Sequence, residues 1–188
     1  MLNLPNILTL LRIVLIPCFV VCFYLPFEGA AVTAAAVFGL AAITDWLDGY
    51  LARRLGQTSP FGAFLDPVAD KLMVAVVLVV LLQVRPALWL ALPVAIIIGR
   101  EITVSALREW MAEVGARRKV AVSWLGKWKT ALQMVALVLL VLSHAPGAPE
   151  WVLWTGAALL YAGTVMTLWS MCDYLRLAWP ELAGTPPR

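Results

Sequence analysis

The chain has 188 residues, of which 63% are hydrophobic and only 13% are charged, and its formal net charge is +3. This balance excludes a water-soluble domain, because too few polar residues are present to cover an apolar core of this size. The length also excludes several independent domains. The composition therefore predicts an all-α, polytopic membrane protein with one bundle of transmembrane helices.

Six apolar segments are each long enough to cross about 30 Å of hydrocarbon. In chain order they cover residues 7–25, 30–53, 60–84, 88–113, 124–143 and 151–176. Gly, Pro or charged residues separate them, as is typical of helix ends. The sequence thus predicts six transmembrane helices in one membrane domain over residues 1–179, followed by a flexible C-terminal tail over residues 180–188.

The basic residues predict the orientation of this bundle. Six crossings place both termini on the same side as the connections 53–59 and 114–123. That side and the nearby helix ends carry every Lys and Arg except Arg85. Because Lys and Arg favour the cytoplasmic side, we expect both termini to be cytosolic, in a multi-pass protein of the bacterial cytoplasmic (inner) membrane.

Four aspartates stand out in so apolar a chain. Asp45 and Asp48 lie in the second predicted helix, and Asp66 and Asp70 lie in the third. An isolated charge in hydrocarbon is strongly unfavourable, so these acids must be neutralised by protonation, by basic partners or by bound cations. Carboxylates without His or Cys favour a hard cation such as Mg²⁺ or Mn²⁺, and four of them suit two ions.

Helix periodicity places these acids beside small residues. One face of the second predicted helix presents Asp45, Asp48, Gly49 and Ala52, and one face of the third presents Gly62, Asp66 and Asp70. The small residues leave room for a flat, phosphorylated ligand between facing carboxylates. The predicted orientation opens this site toward the cytosol.

Two other interpretations of the acids stay open at this point. They could form a cation-conducting site, or a buried network tied to Arg53, Arg54 and Lys71. A cation transporter is disfavoured because the acids lie toward one face and no internal repeat is visible, whereas transporter sites tend to lie at the midplane between repeated halves.

The spacing from Asp45 to Asp70 resembles a known family signature. The pattern D-x-x-D-G-x-x-A-R-x8-G-x-x-x-D-x-x-x-D is similar to that of the CDP-alcohol phosphatidyltransferases, and every fixed position is present. The similarity extends to Asn6-x-x-Thr9-x-x-Arg12 and to segments 100–110 and 126–134. These later segments resemble a bacterial branch of the family whose acceptor is sn-glycerol 3-phosphate.

The resemblance implies a reaction and roles for individual residues. The phosphatidyl group of CDP-diacylglycerol would pass to the acceptor hydroxyl with release of CMP, and the aspartate motif alone would also permit inositol phosphate or serine as acceptor. The implied metal ligands are Asp45, Asp48, Asp66 and Asp70, and Asp70 is also the implied catalytic base. The predicted CDP-lipid site comprises Asn6, Thr9, Asp48, Gly49, Ala52, Arg53 and Gly62. The resemblance further implies a homodimer surrounded by membrane lipids, and we expect no nucleic-acid partner.

An acceptor pocket is predicted at the cytoplasmic ends of the fourth and fifth helices. Basic side chains there could hold the acceptor phosphate, with hydroxyl groups as further donors. The candidates are Arg100, Thr103, Ser105, Arg108, Lys127 and Lys129. Since Lys127 and Lys129 cannot point in the same direction from one helix, at least one cation of this set is expected to contact lipid headgroups or to act as a positive-inside residue instead.

Overall fold

The computed structural model of the chain describes the backbone of residues 4–55, 60–115 and 124–183. Within these ranges, the side chains of residues 4, 5, 46, 48–53, 55, 60, 63 and 124–128 lie outside the description. The described residues form six α-helices and no β-strand: α1 (Leu4–Tyr24), α2 (Ala30–Leu55), α3 (Pro60–Val84), α4 (Leu88–Glu113), α5 (Trp124–Leu142) and α6 (Glu150–Leu182). The predicted all-α fold is confirmed over this part of the chain.

The helix ends lie within three residues of the predicted segment ends, except at the C-terminal end of α6. That helix continues through Pro180 to Leu182, three residues into the segment assigned to a flexible tail. Residues 184–188 of that segment lie outside the described residues. With 33 residues, α6 is the longest of the described helices.

Four helices are long and apolar enough to cross a membrane. Their apolar ranges are Asn6–Tyr24, Phe64–Val84, Leu88–Glu113 and Glu150–Leu182. The remaining two helices carry shorter apolar stretches, Ala30–Asp45 in α2 and Lys129–Leu142 in α5. The structure is therefore that of a membrane protein, and six crossings in one bundle stay a prediction.

Helix packing is closest where one partner presents small residues. α1 packs most extensively on α2, whose buried face carries Ala34, Ala35 and Ala41. α5 packs equally closely on α6, where a Cβ added to Gly156 would lie 3.1 Å from Cγ of Leu140. Small residues let helix backbones approach closely in an apolar environment, where dispersion contacts drive association.

The apolar core has two parts, which leave the polar residues at one end of the bundle. The main core draws buried residues from all six helices, among them Phe19, Phe38, Met73, Ile97, Leu137 and Leu160. A smaller α4–α6 cluster comprises Val104, Met111, Tyr174 and Ala178. The starts of α1, α3 and α5 and the ends of α2, α4 and α6 lie toward the same end of the bundle, where polar contacts such as Thr9 to Asp66 and Lys71 to Ser105 are found. We call this the cavity end.

Candidate active site

α1 carries three polar residues along one buried face. Asn6, Thr9 and Arg12 are spaced three residues apart, so they lie on the same side of the helix. Each of them is almost completely buried. Because apolar surroundings cannot satisfy polar groups, this face must pack against polar partners. For Thr9 and Arg12, those partners are aspartates of α2 and α3.

Arg12 joins the acids of two neighbouring helices. Its Nη1 lies 2.9 Å from Oδ1 of Asp45 on α2 and also contacts Oδ1 of Asp70 on α3. Thr9 donates a hydrogen bond of 2.5 Å to Oδ1 of Asp66. α1 therefore orients three of the four predicted acids. We call Asp45, Asp66 and Asp70 the acidic wall.

The cation and its acid partners differ sharply in exposure. Arg12 is 1% exposed, whereas the side chains of Asp45 and Asp70 are 38% and 41% exposed. The buried guanidinium thus compensates the negative charge of Asp45 and Asp70 from the interior of the helix packing. The two carboxylates remain accessible to a ligand from the other side.

A cavity of about 190 Å³ opens in front of these carboxylates. Four helices line it, with Asp45, Pro67, Asp70, Lys71, Val74, Glu101, Lys129, Thr130, Gln133 and Met134. Acids from α2 and α3 and cations from α3 and α5 therefore border one space. Such a space can hold a ligand that carries both a proton to be removed and an anionic group.

Glu101 organises the cations beside this cavity. Its Oε1 accepts a hydrogen bond of 2.8 Å from Nη1 of Arg100 and one of 3.0 Å from Nζ of Lys129. One carboxylate oxygen thus lies between a cation of α4 and a cation of α5. We call Arg100, Glu101 and Lys129 the basic cluster. A further cation, Lys71, is held by a hydrogen bond of 2.5 Å from its Nζ to Oγ of Ser105.

The acidic wall fits a hard cation by its donor chemistry. It offers carboxylate oxygens without a competing nitrogen or sulfur ligand, as Mg²⁺ and Mn²⁺ prefer. The part of the chain that the structure describes holds no group of three or more acidic, His or Cys side chains suited to one ion. The side chain of Asp48, the fourth predicted ligand, lies outside that part. Metal binding by these aspartates therefore stays a prediction.

The predicted CDP-lipid residues fall partly outside the description. Asn6 and Gly62 are buried and Thr9 is bonded to the acidic wall. The side chains of Asp48, Gly49, Ala52 and Arg53 lie among the residues that are not described. The described members thus lie on α1 and α3, close to the acids that the sequence assigns to the same site.

The predicted acceptor residues separate into three groups. Among the described ones, Lys129 lines the cavity and Ser105 supports Lys71. The others make different contacts: Thr103 bonds back to the carbonyl of Gly99, and Arg100 and Arg108 both face the ring of Tyr174. The side chain of Lys127 lies outside the described residues.

The sequence patterns assign no role at the site to Arg12, Glu101, Thr130 or Gln133, and they place Lys71 only in a possible charge network. A signal was available for two of them. Arg12 and Gln133 are polar residues inside otherwise apolar helices, and such residues usually face a polar site in the bundle interior. The partners of Arg12 lie 33 and 58 positions further along the chain, so the sequence alone did not indicate where it would bind.

These findings agree with the comparison with known proteins. The chain belongs to the CDP-alcohol phosphatidyltransferase family, which it matches over residues 2–169. The predicted resemblance is thereby confirmed, and family membership makes the chain a phosphatidyltransferase enzyme.

Individual relatives are similar over almost their whole length. A Pseudomonas fluorescens protein named CDP-diacylglycerol–glycerol-3-phosphate 3-phosphatidyltransferase is 60% identical over 96% of this chain and 92% of its own. Proteins of the same name from Salmonella typhimurium and Escherichia coli K12 are 54% and 52% identical, each over 96% of this chain and 97% of their own.

Proposed function

We propose that this chain transfers the phosphatidyl group of CDP-diacylglycerol to sn-glycerol 3-phosphate, with phosphatidylglycerol phosphate and CMP as products. One observation carries the proposal: a single cavity is lined by Asp45 and Asp70 and also by Lys71 and Lys129. An acceptor with one hydroxyl to be deprotonated and one phosphate to be held needs both kinds of group. The names of the relatives that match the whole chain support the same acceptor.

The reaction replaces a diphosphate P–O–P linkage with a phosphate ester. The acceptor hydroxyl oxygen attacks the phosphorus that bears the diacylglycerol, and a new P–O bond forms. The bond from that phosphorus to the oxygen of CMP breaks, and CMP leaves with the electron pair. Asp70 accepts the hydroxyl proton, since its carboxylate borders the cavity and is anchored through Arg12.

The acidic wall would bind the diphosphate of CDP-diacylglycerol. Its three aspartates, together with Asp48, would bind Mg²⁺ or Mn²⁺, which would neutralise the charge of the diphosphate when bound. Arg12 keeps Asp45 and Asp70 at a fixed separation, because one guanidinium nitrogen contacts both carboxylates. The small residues Gly49, Ala52 and Gly62 would leave space for the cytidine beside them.

The acceptor phosphate is assigned to the cations of the cavity. Lys129 and Lys71 both line it, and each is already oriented by a partner on α4. Oriented ammonium groups favour a phosphate dianion by charge-assisted hydrogen bonds. Thr130 and Gln133 lie on the same side of α5 as Lys129 and offer neutral donors to the glycerol.

A purified sample with CDP-diacylglycerol and a panel of alcohols tests this proposal. CMP release should be strongest with sn-glycerol 3-phosphate, and weak with inositol phosphate or serine. Chelation should abolish it, and Mg²⁺ or Mn²⁺ should restore it. Preference for another alcohol would overturn the acceptor assignment, and full turnover in metal-free buffer would overturn the metal assignment.

The same proposal includes six crossings of the bacterial inner membrane with the cavity facing the cytosol. The basic residues support this orientation. In a variant without natural cysteines, Glu28→Cys and Glu113→Cys should react with impermeant thiol reagents from opposite sides of the membrane. Labelling of both from one side would contradict the topology. The homodimer stays a prediction that crosslinking in membranes can test.

A further inference from the structure

The C-terminal half of α6 contacts the basic cluster without lining the cavity. Nη2 of Arg100 donates a hydrogen bond of 2.9 Å to Oγ of Ser170. The guanidinium carbon of Arg100 also lies 5.7 Å from the ring centre of Tyr174. Ser170 and Tyr174 lie one helical turn apart and both follow residue 169, where the match to the family ends. The match therefore leaves these contacts unassigned.

Arg100 is the link between α6 and the cavity. It is 9% exposed, and its Nη1 binds the same Glu101 oxygen that binds Lys129. Lys129 and Glu101 line the cavity, whereas Arg100 is absent from the described lining. A hydroxyl on α6 is thus connected to the cavity cation through three consecutive hydrogen bonds.

We infer that Ser170 is a positioning residue that sets the acceptor affinity by holding Lys129 in place through Arg100 and Glu101. This inference rests on the proposed function, and it adds a residue that does not touch the substrate. Ser170 accepts a hydrogen bond from one terminal nitrogen of the guanidinium, so Arg100 binds Glu101 through the other terminal nitrogen. Glu101 then keeps capacity to accept the hydrogen bond from Lys129.

Loss of the Ser170 hydroxyl would change how Arg100 binds Glu101. A buried nitrogen of Arg100 would lose its partner, which is costly in an apolar environment. Guanidinium groups bind carboxylates in pairs of parallel hydrogen bonds when both terminal nitrogens are available. Arg100 would therefore turn toward Glu101 and displace Lys129, which would no longer point at the acceptor phosphate.

The surroundings of Arg100 provide few alternatives. Its Nε is buried and has no hydrogen-bond partner among the described residues, and the same holds for Oγ1 of Thr167 on the facing side of α6. The guanidinium is thus held by Ser170, Glu101 and the ring of Tyr174. Because these contacts are few, loss of the Ser170 hydroxyl should change the position of Lys129.

The test compares Ser170→Ala with Thr164→Val in purified full-length protein. Thr164 is also buried on α6, but its hydroxyl bonds to the carbonyl of Leu160 in the same helix, so this variant removes a hydroxyl without touching the basic cluster. Ser170→Ala should raise KM for glycerol 3-phosphate about threefold to tenfold. The kcat and the KM for CDP-diacylglycerol should change less than about twofold. Thr164→Val should leave all three unchanged, and Ser170→Thr, which keeps a hydroxyl, should restore the acceptor KM.

Each other outcome has a defined meaning. Equal acceptor KM in Ser170→Ala and Thr164→Val would overturn the inference. Equal rises in KM for both substrates, with a lower melting temperature, would assign Ser170 a purely structural role and also overturn it. If the wild-type protein prefers another acceptor, the proposed function fails, and the same comparison with that acceptor decides the role of Ser170.

Discussion

The two ends of the helical bundle hold their charges in different ways. At the cavity end, Arg12 is bound by acids from two other helices, and Glu101 is bound by cations from α4 and α5. The opposite end comprises the connections 25–29, 85–87 and 143–149. There, buried nitrogens of Arg85 and His144 have no hydrogen-bond partner among the described residues.

Neutral contacts dominate that opposite end. Tyr24 of α1 bonds to the side chain of Gln83, Tyr161 donates a hydrogen bond of 2.7 Å to the carbonyl of Trp89, and His144 packs edge-on against Phe23. Charges paired across different helices, with one partner buried and the other facing a cavity, distinguish the cavity end.

The largest expected effect concerns the base at the cavity end. Asp70→Asn keeps the shape of the side chain but cannot accept a proton, and loss of general-base assistance typically costs about 10² to 10⁴ in rate. Turnover should fall by that factor, while CDP-diacylglycerol binding changes little. CMP release and lipid binding, measured on the same sample, check this. Near-normal turnover would assign the base to another group.

A second prediction contrasts one arginine from each end of the bundle. Arg12→Ala removes the cation between two carboxylates and should lower the free energy of unfolding by about 3 kcal/mol. Arg85→Ala at the opposite end should lower it by less than about 1 kcal/mol, because no described acid depends on it. Unfolding of both variants in detergent micelles provides the measurement. Equal losses would remove the distinction between the two ends.

The third prediction separates cavity cations from cations outside it. Lys129→Ala removes a charge-assisted contact to the acceptor phosphate, worth roughly 1.5 to 3 kcal/mol, so KM for glycerol 3-phosphate should rise about tenfold or more. Arg108→Ala is the matched control, since Arg108 is exposed and faces Tyr174 instead of the cavity. A larger KM increase in Arg108→Ala would place the acceptor elsewhere.

The smallest effect is expected from pH at the opposite end. Burial lowers the pKa of His144 below its ordinary value of 6.5, the carbonyl of Leu140 opposes this, and the charge of Arg85 adds to it. The unfolded chain therefore binds this proton more readily than the folded one. The stabilisation from neutral His144 is present above pH 6.5 and is lost as the pH falls through the lowered pKa.

Melting temperatures between about pH 7.5 and pH 5.5 test this dependence. The wild-type protein should lose a little stability toward the acidic side, and His144→Gln should lose less over the same interval. A steeper acidic loss in His144→Gln than in the wild type would show that other groups govern the dependence.

Much of the fold followed from apolar length and helix-breaking residues. The third and fourth predicted segments agree with α3 and α4 at both ends. The prediction ended the sixth segment at residue 176 and assigned residues 180–188 to a tail, because the tail shows no helical periodicity. In the structure, the helix continues to Leu182, and its C-terminal half packs Tyr174 and Ala178 on α4. Packing between distant segments prolongs this helix, and no local pattern encodes that.

The site, too, was predictable from the sequence only in part. Asp45 and Asp70 line one cavity in the structure, and both lie on regular helices whose register follows from sequence periodicity. The role of Arg100 was harder to predict, since a long side chain can turn away from the stripe of its own Cα. In the structure it contacts the adjacent Glu101 and also Ser170 and Tyr174, which lie seventy or more positions away in sequence. Only the three-dimensional packing brings these groups together.

The length of α6 has a consequence for the depth of the reaction. An α-helix rises about 1.5 Å per residue, so Ser170 lies about 30 Å along the axis from Glu150, close to the full thickness of a hydrocarbon layer. In the proposed topology, with Glu150 at the outer boundary of the membrane, this length would place Ser170 and the neighbouring basic cluster at the boundary between acyl chains and water. A lipid donor can reach that level by lateral diffusion, and a water-soluble acceptor can reach it from the aqueous side. Neither substrate has to leave its own phase to meet the other.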